Sequence, residues 1–158
     1  MSARQHHYKI TIEWTGNDGV GTATYAAYSR NYNIHADHKP VIAGSSDSAF
    51  RGDNTKYNPE DMLVSSLSSC HMLWYLHLCA DEGIIVDTYL DHAEGTLAET
   101  GTNGGHFVEV VLRPQITVTE AAMIEKAIAL HEDAHRHCFI ANSCNFPIRV
   151  EPQVTVQA

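Results

Sequence analysis

The first quarter of the chain alternates hydrophobic and polar residues in short stretches. Residues 8–14 (YKITIEW) follow the period of a half-buried strand, and the segment 16–19 (GNDG) that comes next is typical of a tight turn. Residues 21–29, 31–36 and 39–43 continue as further short strands. The pattern therefore predicts an antiparallel meander.

A long helix is predicted after a polar, turn-rich segment. Asn58 can cap it, Pro59 suits the first helical position, and Glu60 and Asp61 are acidic residues in the first turn. Gly83 predicts its end, which makes the helix about 24 residues or about 36 Å long. The predicted helix is therefore long and mostly apolar.

In the second half of the chain, hydrophobic and polar residues alternate less regularly. Residues 84–97 and 106–118 are predicted strands joined by a glycine-rich segment, and residues 146–156 form a last strand. Thr119 is predicted to open a second helix that reaches about His137. Because strands are grouped rather than alternated with helices, the pattern predicts one α+β domain over residues 1–158 and disfavours a doubly wound parallel sheet.

Charge and composition narrow the function. The chain of 158 residues has a net charge of −9, the wrong sign for binding nucleic acid without a basic patch. Its start lacks the apolar core of a signal peptide, and its best apolar run, residues 72–80, is too short to cross a bilayer. We therefore expect a cytoplasmic protein that binds neither nucleic acid nor membrane, and four cysteines are too sparse for a disulfide scaffold.

Small residues crowd the middle of the first helix. Serines occupy positions 65, 66, 68 and 69, directly before Cys70. They permit the close approach of another backbone, which is either a core element of the same chain or the same helix of a second copy. The sequence leaves both possibilities open.

Cys70 is the candidate for thiol chemistry, whereas Cys79, among apolar neighbours, is expected to be an ordinary buried residue. An ordinary thiol has a pKa near 8.5, and Cys70 lies too far along the helix to benefit from the N-terminal dipole. A thiolate at this position would need a cation. Arg30 and Arg51 are the candidates, since both precede the helix.

Cys138 lies at the electronegative end of the second predicted helix, which suits a resolving thiol better than an attacking one. If its segment packs on Cys70, it can capture a sulfenic acid there as a disulfide. Cys144 follows six residues later and could compete for this role.

The cysteines belong to a set of motifs that occur in a recognisable order. These motifs are Asn58-Pro59-Glu60, Cys70 ten residues after Glu60, the segment 134–138 (AHRHC), Asn142-Ser143 and Phe146-Pro147-Ile148, with Gly21-Thr22 and Tyr28-Ser29-Arg30 near the N-terminus. With them the chain resembles the OsmC/Ohr family of thiol peroxidases, in particular its OsmC-like branch.

The resemblance implies an intertwined homodimer in which antiparallel sheet wraps long central helices. By position, it implies that Cys70 is the peroxidatic cysteine, Cys138 the resolving cysteine, Glu60 the conserved acid and Arg30 the thiolate-stabilising arginine, with Arg51 as the alternative. The implied reaction reduces an organic hydroperoxide through a Cys70 sulfenic acid and a Cys70–Cys138 disulfide. An external dithiol regenerates the enzyme, and no metal, haem or other cofactor takes part.

Two features qualify this resemblance. Ten helical residues separate Glu60 from Cys70 by about 15 Å, which one arginine does not bridge well, so the Glu60 that serves Cys70 is expected to come from a second copy. The family commonly has proline after the second cysteine, where this chain has Phe139.

Bulky hydroperoxides are the expected substrates because an apolar approach is predicted from Leu67, Met72, Trp74, Phe139 and Ile140.

One motif points to different chemistry. Residues 131–135 read HEDAH, an HExxH pattern that places His131 and His135 on one helical face with Glu132 as a general base, as in zinc hydrolases. Cys138 shares the stripe and could add a third ligand. A solvated, histidine-rich helix face is the simpler interpretation, and a non-catalytic small-molecule-binding protein is a further alternative.

Overall fold

The computed structural model of the protein describes residues 4–101 and 104–157. The chain divides into two compact units, Met1–Met62 and Leu63–Ala158. Helix α1, Pro59–Asp81, begins in the first unit and continues in the second. That the whole chain acts as one domain stays a prediction.

The first unit contains a three-stranded antiparallel sheet. Its strands are β1 (Thr11–Trp14), β2 (Tyr32–His35) and β3 (Ile42–Gly44), in the order β1-β2-β3. All four residues of β1 are exposed and those of β2 are half-buried. A short 3-10 turn, Ser48–Phe50, follows β3.

The predicted strand at residues 21–29 is wrong. This segment is a series of turns in the loop between β1 and β2. The Asn17 side chain accepts backbone N–H bonds from Gly19 at 3.0 Å and Gly21 at 2.9 Å, and both glycines have positive φ. These local bonds compete with sheet pairing, which is why an apolar and β-branched composition did not produce a strand here.

The predicted bounds of α1 are confirmed. The Asn58 side chain accepts the Asp61 N–H at 2.7 Å, and the Asp61 carboxylate accepts the Asn58 N–H at 3.2 Å, which is a reciprocal cap. At the other end Gly83 has φ 72° and Ile84 N–H donates to the Cys79 carbonyl at 2.8 Å. The helix buries one stripe, at Leu67, His71, Tyr75 and Cys79, so Cys79 is the buried residue that its surroundings predicted.

The second unit contains two three-stranded sheets and helix α2, Ile124–His137. A 3-10 turn at Ala121–Met123 precedes α2, so this helix begins later than the predicted Thr119. The strands are β4 (Val86–Asp91), β5 (Glu94–Glu99), β6 (Gly105–Leu112), β7 (Pro114–Val118), β8 (Ile148–Val150) and β9 (Gln153–Val156). The sheet orders are β4-β7-β9 and β5-β6-β8.

Each of the three long strands predicted in this unit is broken into two. The breaks fall after Asp91, at Arg113 and before Gln153, so the hairpin bends and its halves belong to different sheets. Pro152 has no N–H to donate and interrupts the last strand. Strands β8 and β9 pair in parallel with β6 and β7, whereas the hairpin itself is antiparallel.

The core of the second unit has two parts. One packs α1 and α2 against the β4-β7-β9 sheet around Tyr75, Ile116, Val118 and Ala134. The other surrounds Leu67, Val110 and Leu112. None of the helices in the described part of the chain combines the length and hydropathy needed to cross a bilayer.

Candidate functional site

Two cysteines meet where α1 passes the end of α2. Cys70 is half-buried on α1, and Cys138 is the fully buried residue directly after α2. Both thiols are free and lie within hydrogen-bonding reach of each other. Two free thiols that interact in this way are a candidate disulfide pair.

The surroundings of Cys138 keep it protonated. Burial raises the pKa of its thiol to about 11, and the hydrogen bond with Cys70 adds to the shift. The Ala141 N–H donates to the Cys138 sulfur at 3.4 Å and partly opposes the shift. Cys138 is therefore a neutral thiol at physiological pH. This state suits a resolving thiol, which reacts only after its partner cysteine has been modified.

An apolar cavity of about 460 Å³ opens at Cys70. It is lined by Cys70, Leu73, Trp74, His77 and Phe139. The Trp74 indole forms its wall, with edge contacts to Phe139 at 5.6 Å and His77 at 5.8 Å between ring centroids. The cavity offers an organic molecule an apolar surface next to a thiol.

The predicted apolar approach is only partly right. Trp74 and Phe139 line the cavity, but Leu67 and Ile140 belong to the second core cluster and Met72 is not a lining residue. Leu73 and His77 also line the cavity and were not among the residues predicted for this approach. Their spacing of three and seven residues from Cys70 puts them on its helical face, so this signal was available.

Arg30, Arg51 and Glu60 belong to the first compact unit. The Arg30 guanidinium lies 4.3 Å from the ring centre of Tyr25 and 4.1 Å from that of Tyr28, and Arg51 lies 6.0 Å from the ring centre of Tyr25. Glu60 is half-buried in the first turn of α1. Burial, and then the charge of Glu60, raises the pKa of Tyr32.

Cys144 ends the 3-10 turn Ala141–Ser143 and is half-buried against the second core cluster. Burial raises the pKa of its thiol. It is the Cys138 sulfur, rather than that of Cys144, that is hydrogen-bonded to Cys70.

The HExxH residues lie apart from the two cysteines' cavity. His131 is 3% exposed and stacks on Tyr75, with 3.9 Å between ring centroids, and its Nδ1 lies 2.9 Å from His71 Nε2. His131, Glu132 and His135 line a second cavity of about 330 Å³. Within residues 4–101 and 104–157, no group of three or more histidine, cysteine or acidic side chains is arranged to hold a metal ion.

The chain matches a known family model and is similar to solved structures. A family model described as OsmC-like protein matches residues 52–153. An OsmC-like protein of unknown function from Vibrio cholerae is 28% identical, with a TM-score of 0.84 over 94% of this chain and 100% of that chain. No curated protein matches the sequence significantly.

Two solved structures share the fold at lower identity. An organic hydroperoxide resistance protein from Legionella pneumophila is 16% identical, with a TM-score of 0.67 over 97% of this chain and 99% of that chain. One from Bacillus subtilis is also 16% identical, with a TM-score of 0.61 over 95% and 98%. At this identity the likeness shows a common α+β fold.

Proposed function

Because this chain belongs to the OsmC-like protein family, we propose that it is a thiol-dependent peroxidase that reduces organic hydroperoxides in defence against oxidative stress. The observation that carries the proposal is the interaction of the Cys138 thiol with Cys70, a residue that lines an apolar cavity. The organic hydroperoxide resistance proteins that share the fold support it.

The proposed reaction starts at Cys70. Its thiolate attacks one peroxide oxygen, the O–O bond breaks, and the departing alkoxide takes a proton to become the alcohol. Cys70 is left as a sulfenic acid. In this step the cysteine sulfur is oxidised by two electrons and the hydroperoxide is reduced.

Cys138 then completes the oxidised form. Its sulfur attacks the Cys70 sulfenic sulfur, the Cys138 proton leaves with the hydroxyl as water, and a disulfide forms. The raised pKa of Cys138 fits this role, since the thiol stays protonated until a sulfenic acid is present. An external dithiol returns both residues to thiols.

Arg30 is proposed to stabilise the Cys70 thiolate, with Arg51 as the alternative, and Glu60 to orient the arginine. A guanidinium is always charged at physiological pH and can donate several hydrogen bonds to a sulfur anion or a peroxide oxygen. The apolar cavity walls favour a bulky hydroperoxide over hydrogen peroxide, because an organic substituent gains by leaving water.

We further propose that the protein is a homodimer. All four residues of the edge strand β1 are exposed, and the side chain of Ile12 is 55% exposed. On α1, the exposed serines at positions 65 and 69 form a surface of small residues. A second copy covering these surfaces would bury apolar area and allow two α1 helices to approach closely.

The direct test is peroxide turnover by purified protein with cumene hydroperoxide and a dithiol. Cys70→Ser should abolish turnover. With the dithiol left out, Cys138→Ser should consume one equivalent of hydroperoxide and leave Cys70 as a sulfenic acid. Cys144→Ser is the matched control and should retain turnover. Peptide mass spectrometry of the oxidised wild type should show a Cys70–Cys138 disulfide.

Three outcomes would contradict the proposal. A Cys138–Cys144 disulfide with free Cys70 requires another mechanism. Loss of a hydrolytic activity on chelation, with stoichiometric zinc in the purified protein, would support the HExxH alternative. Absence of any peroxide turnover would leave a non-catalytic binding protein.

A further inference from the structure

The segment that carries Cys138 is shaped by hydrogen bonds within itself. Cys138 leaves α2 in an extended conformation, and its N–H donates to the His135 carbonyl at 3.3 Å. Its own carbonyl accepts the Asn142 N–H at 3.0 Å, and the Asn142 side chain donates to the Arg136 carbonyl at 3.0 Å. All these bonds lie within residues 135–142, so they set the shape of the segment but not its distance from α1.

One side chain of α1 packs on both neighbours of Cys138. The Trp74 ring centroid lies 5.0 Å from that of His137 and 5.6 Å from that of Phe139. The indole is tilted by 35° against the imidazole and meets the phenyl ring edge-on, at 83°. Aromatic pairs at these separations stabilise a structure beyond the area that they bury. Trp74 therefore joins the chain on either side of Cys138 to the helix that carries Cys70.

Trp74 is itself fixed in position. It follows Cys70 by four residues, so the two side chains share one face of α1, and both line the apolar cavity. The indole also packs against the core cluster that contains Tyr75 and Ala134. Because the core restrains the indole, its contacts with His137 and Phe139 restrain the segment that carries Cys138.

We propose that Trp74 is a positioning residue that holds Cys138 beside Cys70 for the disulfide-forming step. The inference rests on the proposed peroxidase function and names a residue for its second step. In that step the S–S bond forms, the S–O bond of the Cys70 sulfenic acid breaks, and the hydroxyl leaves as water with the Cys138 proton. A buried, protonated thiol is a weak nucleophile, so its reaction depends on being held close to its target.

The test measures disulfide formation separately from the attack on hydroperoxide. Reduced protein is oxidised with cumene hydroperoxide in the presence of dimedone and without a dithiol, so dimedone competes with Cys138 for the Cys70 sulfenic acid. Mass spectrometry gives the ratio of dimedone adduct to disulfide, which does not depend on how fast the sulfenic acid forms. A second readout is the equilibrium constant of the Cys70–Cys138 disulfide in glutathione buffers, which involves no hydroperoxide.

Trp74→Leu removes both ring contacts. We expect it to raise the ratio of adduct to disulfide about ten-fold and to lower the disulfide equilibrium constant by a similar factor, as for the loss of aromatic pairs elsewhere. Trp74→Phe keeps an aromatic ring and should change each readout by about three-fold or less. Val118→Ala is the structural control: it weakens the same core cluster but removes neither ring contact, so both readouts should match wild type.

The outcomes separate the inference from the proposed function. If Trp74→Leu leaves both readouts at their wild-type values, the positioning role is overturned. It is also overturned if Val118→Ala shifts them as far as Trp74→Leu does, because the effect then comes from a general loss of packing. If the wild type gives neither adduct nor disulfide with the hydroperoxide, the proposed function fails instead, and the glutathione equilibrium alone decides whether Trp74 holds the two cysteines together.

Discussion

His71 and His131 are two imidazoles buried edge to edge on neighbouring helices. Their rings are nearly parallel, at 8°, and they share one hydrogen bond. Burial, together with the charge of neighbouring histidines, lowers the pKa of His71 to about 4 and that of His131 to about 3. Both residues are therefore neutral in the folded protein across the physiological range, and they serve the core rather than a metal site.

This pair makes stability depend on pH. In the unfolded chain both histidines titrate near their ordinary pKa of 6.5. Below that pH the unfolded state therefore binds protons that the folded state does not bind. The contribution of this pair to the free energy of unfolding should be constant above about pH 7. It should fall between pH 6.5 and 4 by up to about 1.4 kcal/mol per pH unit for each imidazole.

Urea unfolding at pH 7, 6 and 5, at constant protein concentration, measures this dependence. His131→Phe keeps an aromatic ring against Tyr75 and removes one titrating group, so its pH slope should be about half that of wild type. His6→Phe, at an exposed position, should retain the full slope. Equal slopes in all three proteins would contradict the assignment.

At the scale of elements, the bend in the long hairpin is organised by one carboxylate. Asp91 accepts the Arg113 N–H at 2.7 Å and the Ser68 hydroxyl at 2.5 Å. Arg113 also pairs with Glu94 at 3.0 Å and Glu151 at 3.3 Å. Because Ser68 lies two residues before Cys70 on α1, the bend ties the sheets to the helix that carries the candidate nucleophile.

Removal of this carboxylate should destabilise the fold. Asp91→Ala leaves a backbone N–H and a hydroxyl without their charged acceptor, which costs about 2 kcal/mol by the usual strength of such bonds. Asp91→Asn keeps one acceptor oxygen and should lose less. Thermal or urea unfolding measures both variants.

The matched control is Asp87→Ala, an exposed position on the same strand that should change stability by about 0.5 kcal/mol or less. If Asp91→Ala shifts unfolding no more than Asp87→Ala does, the bend does not depend on the carboxylate.

At the scale of the whole molecule, the proposed site is expected to need two chains. Glu60 and Cys70 are ten residues apart on one continuous helix, about 15 Å along its axis. Two α1 helices related by a dyad would bring Glu60 of one copy towards Cys70 of the other. In that arrangement the proposed chemistry would require the dimer.

Subunit mixing tests this arrangement. Cys70→Ser and Glu60→Gln homodimers should each be inactive or nearly so. In a mixed dimer one site keeps Cys70 from the Glu60→Gln chain and Glu60 from the Cys70→Ser chain. Random mixing should therefore restore about a quarter of wild-type peroxidase activity.

Native mass spectrometry of differently tagged chains confirms that mixed dimers have formed. Mixed dimers without activity would mean that Glu60 and Cys70 act within one chain. Full activity of the Glu60→Gln homodimer would remove Glu60 from the mechanism.

Helix α1, with its cap at Asn58 and its end at Gly83, was determined by the sequence alone, because capping bonds and backbone preferences act within a few residues. The burial of Cys79 and the α+β order followed in the same way from local periodicity. The contact of Cys70 with Cys138 was anticipated through the family resemblance, since periodicity alone does not say which segments pack together.

Only the tertiary structure decided the bend at Asp91 and the turns at residues 21–29. The same holds for the walls of the Cys70 cavity and for the packing of the Arg30 guanidinium on the Tyr25 and Tyr28 rings. These features depend on bonds between side chains and backbone groups whose closeness in space is set by the packing of whole elements. Hydrophobic pattern reports which face of an element is buried, but the partner of each buried or charged group is fixed only when the elements meet.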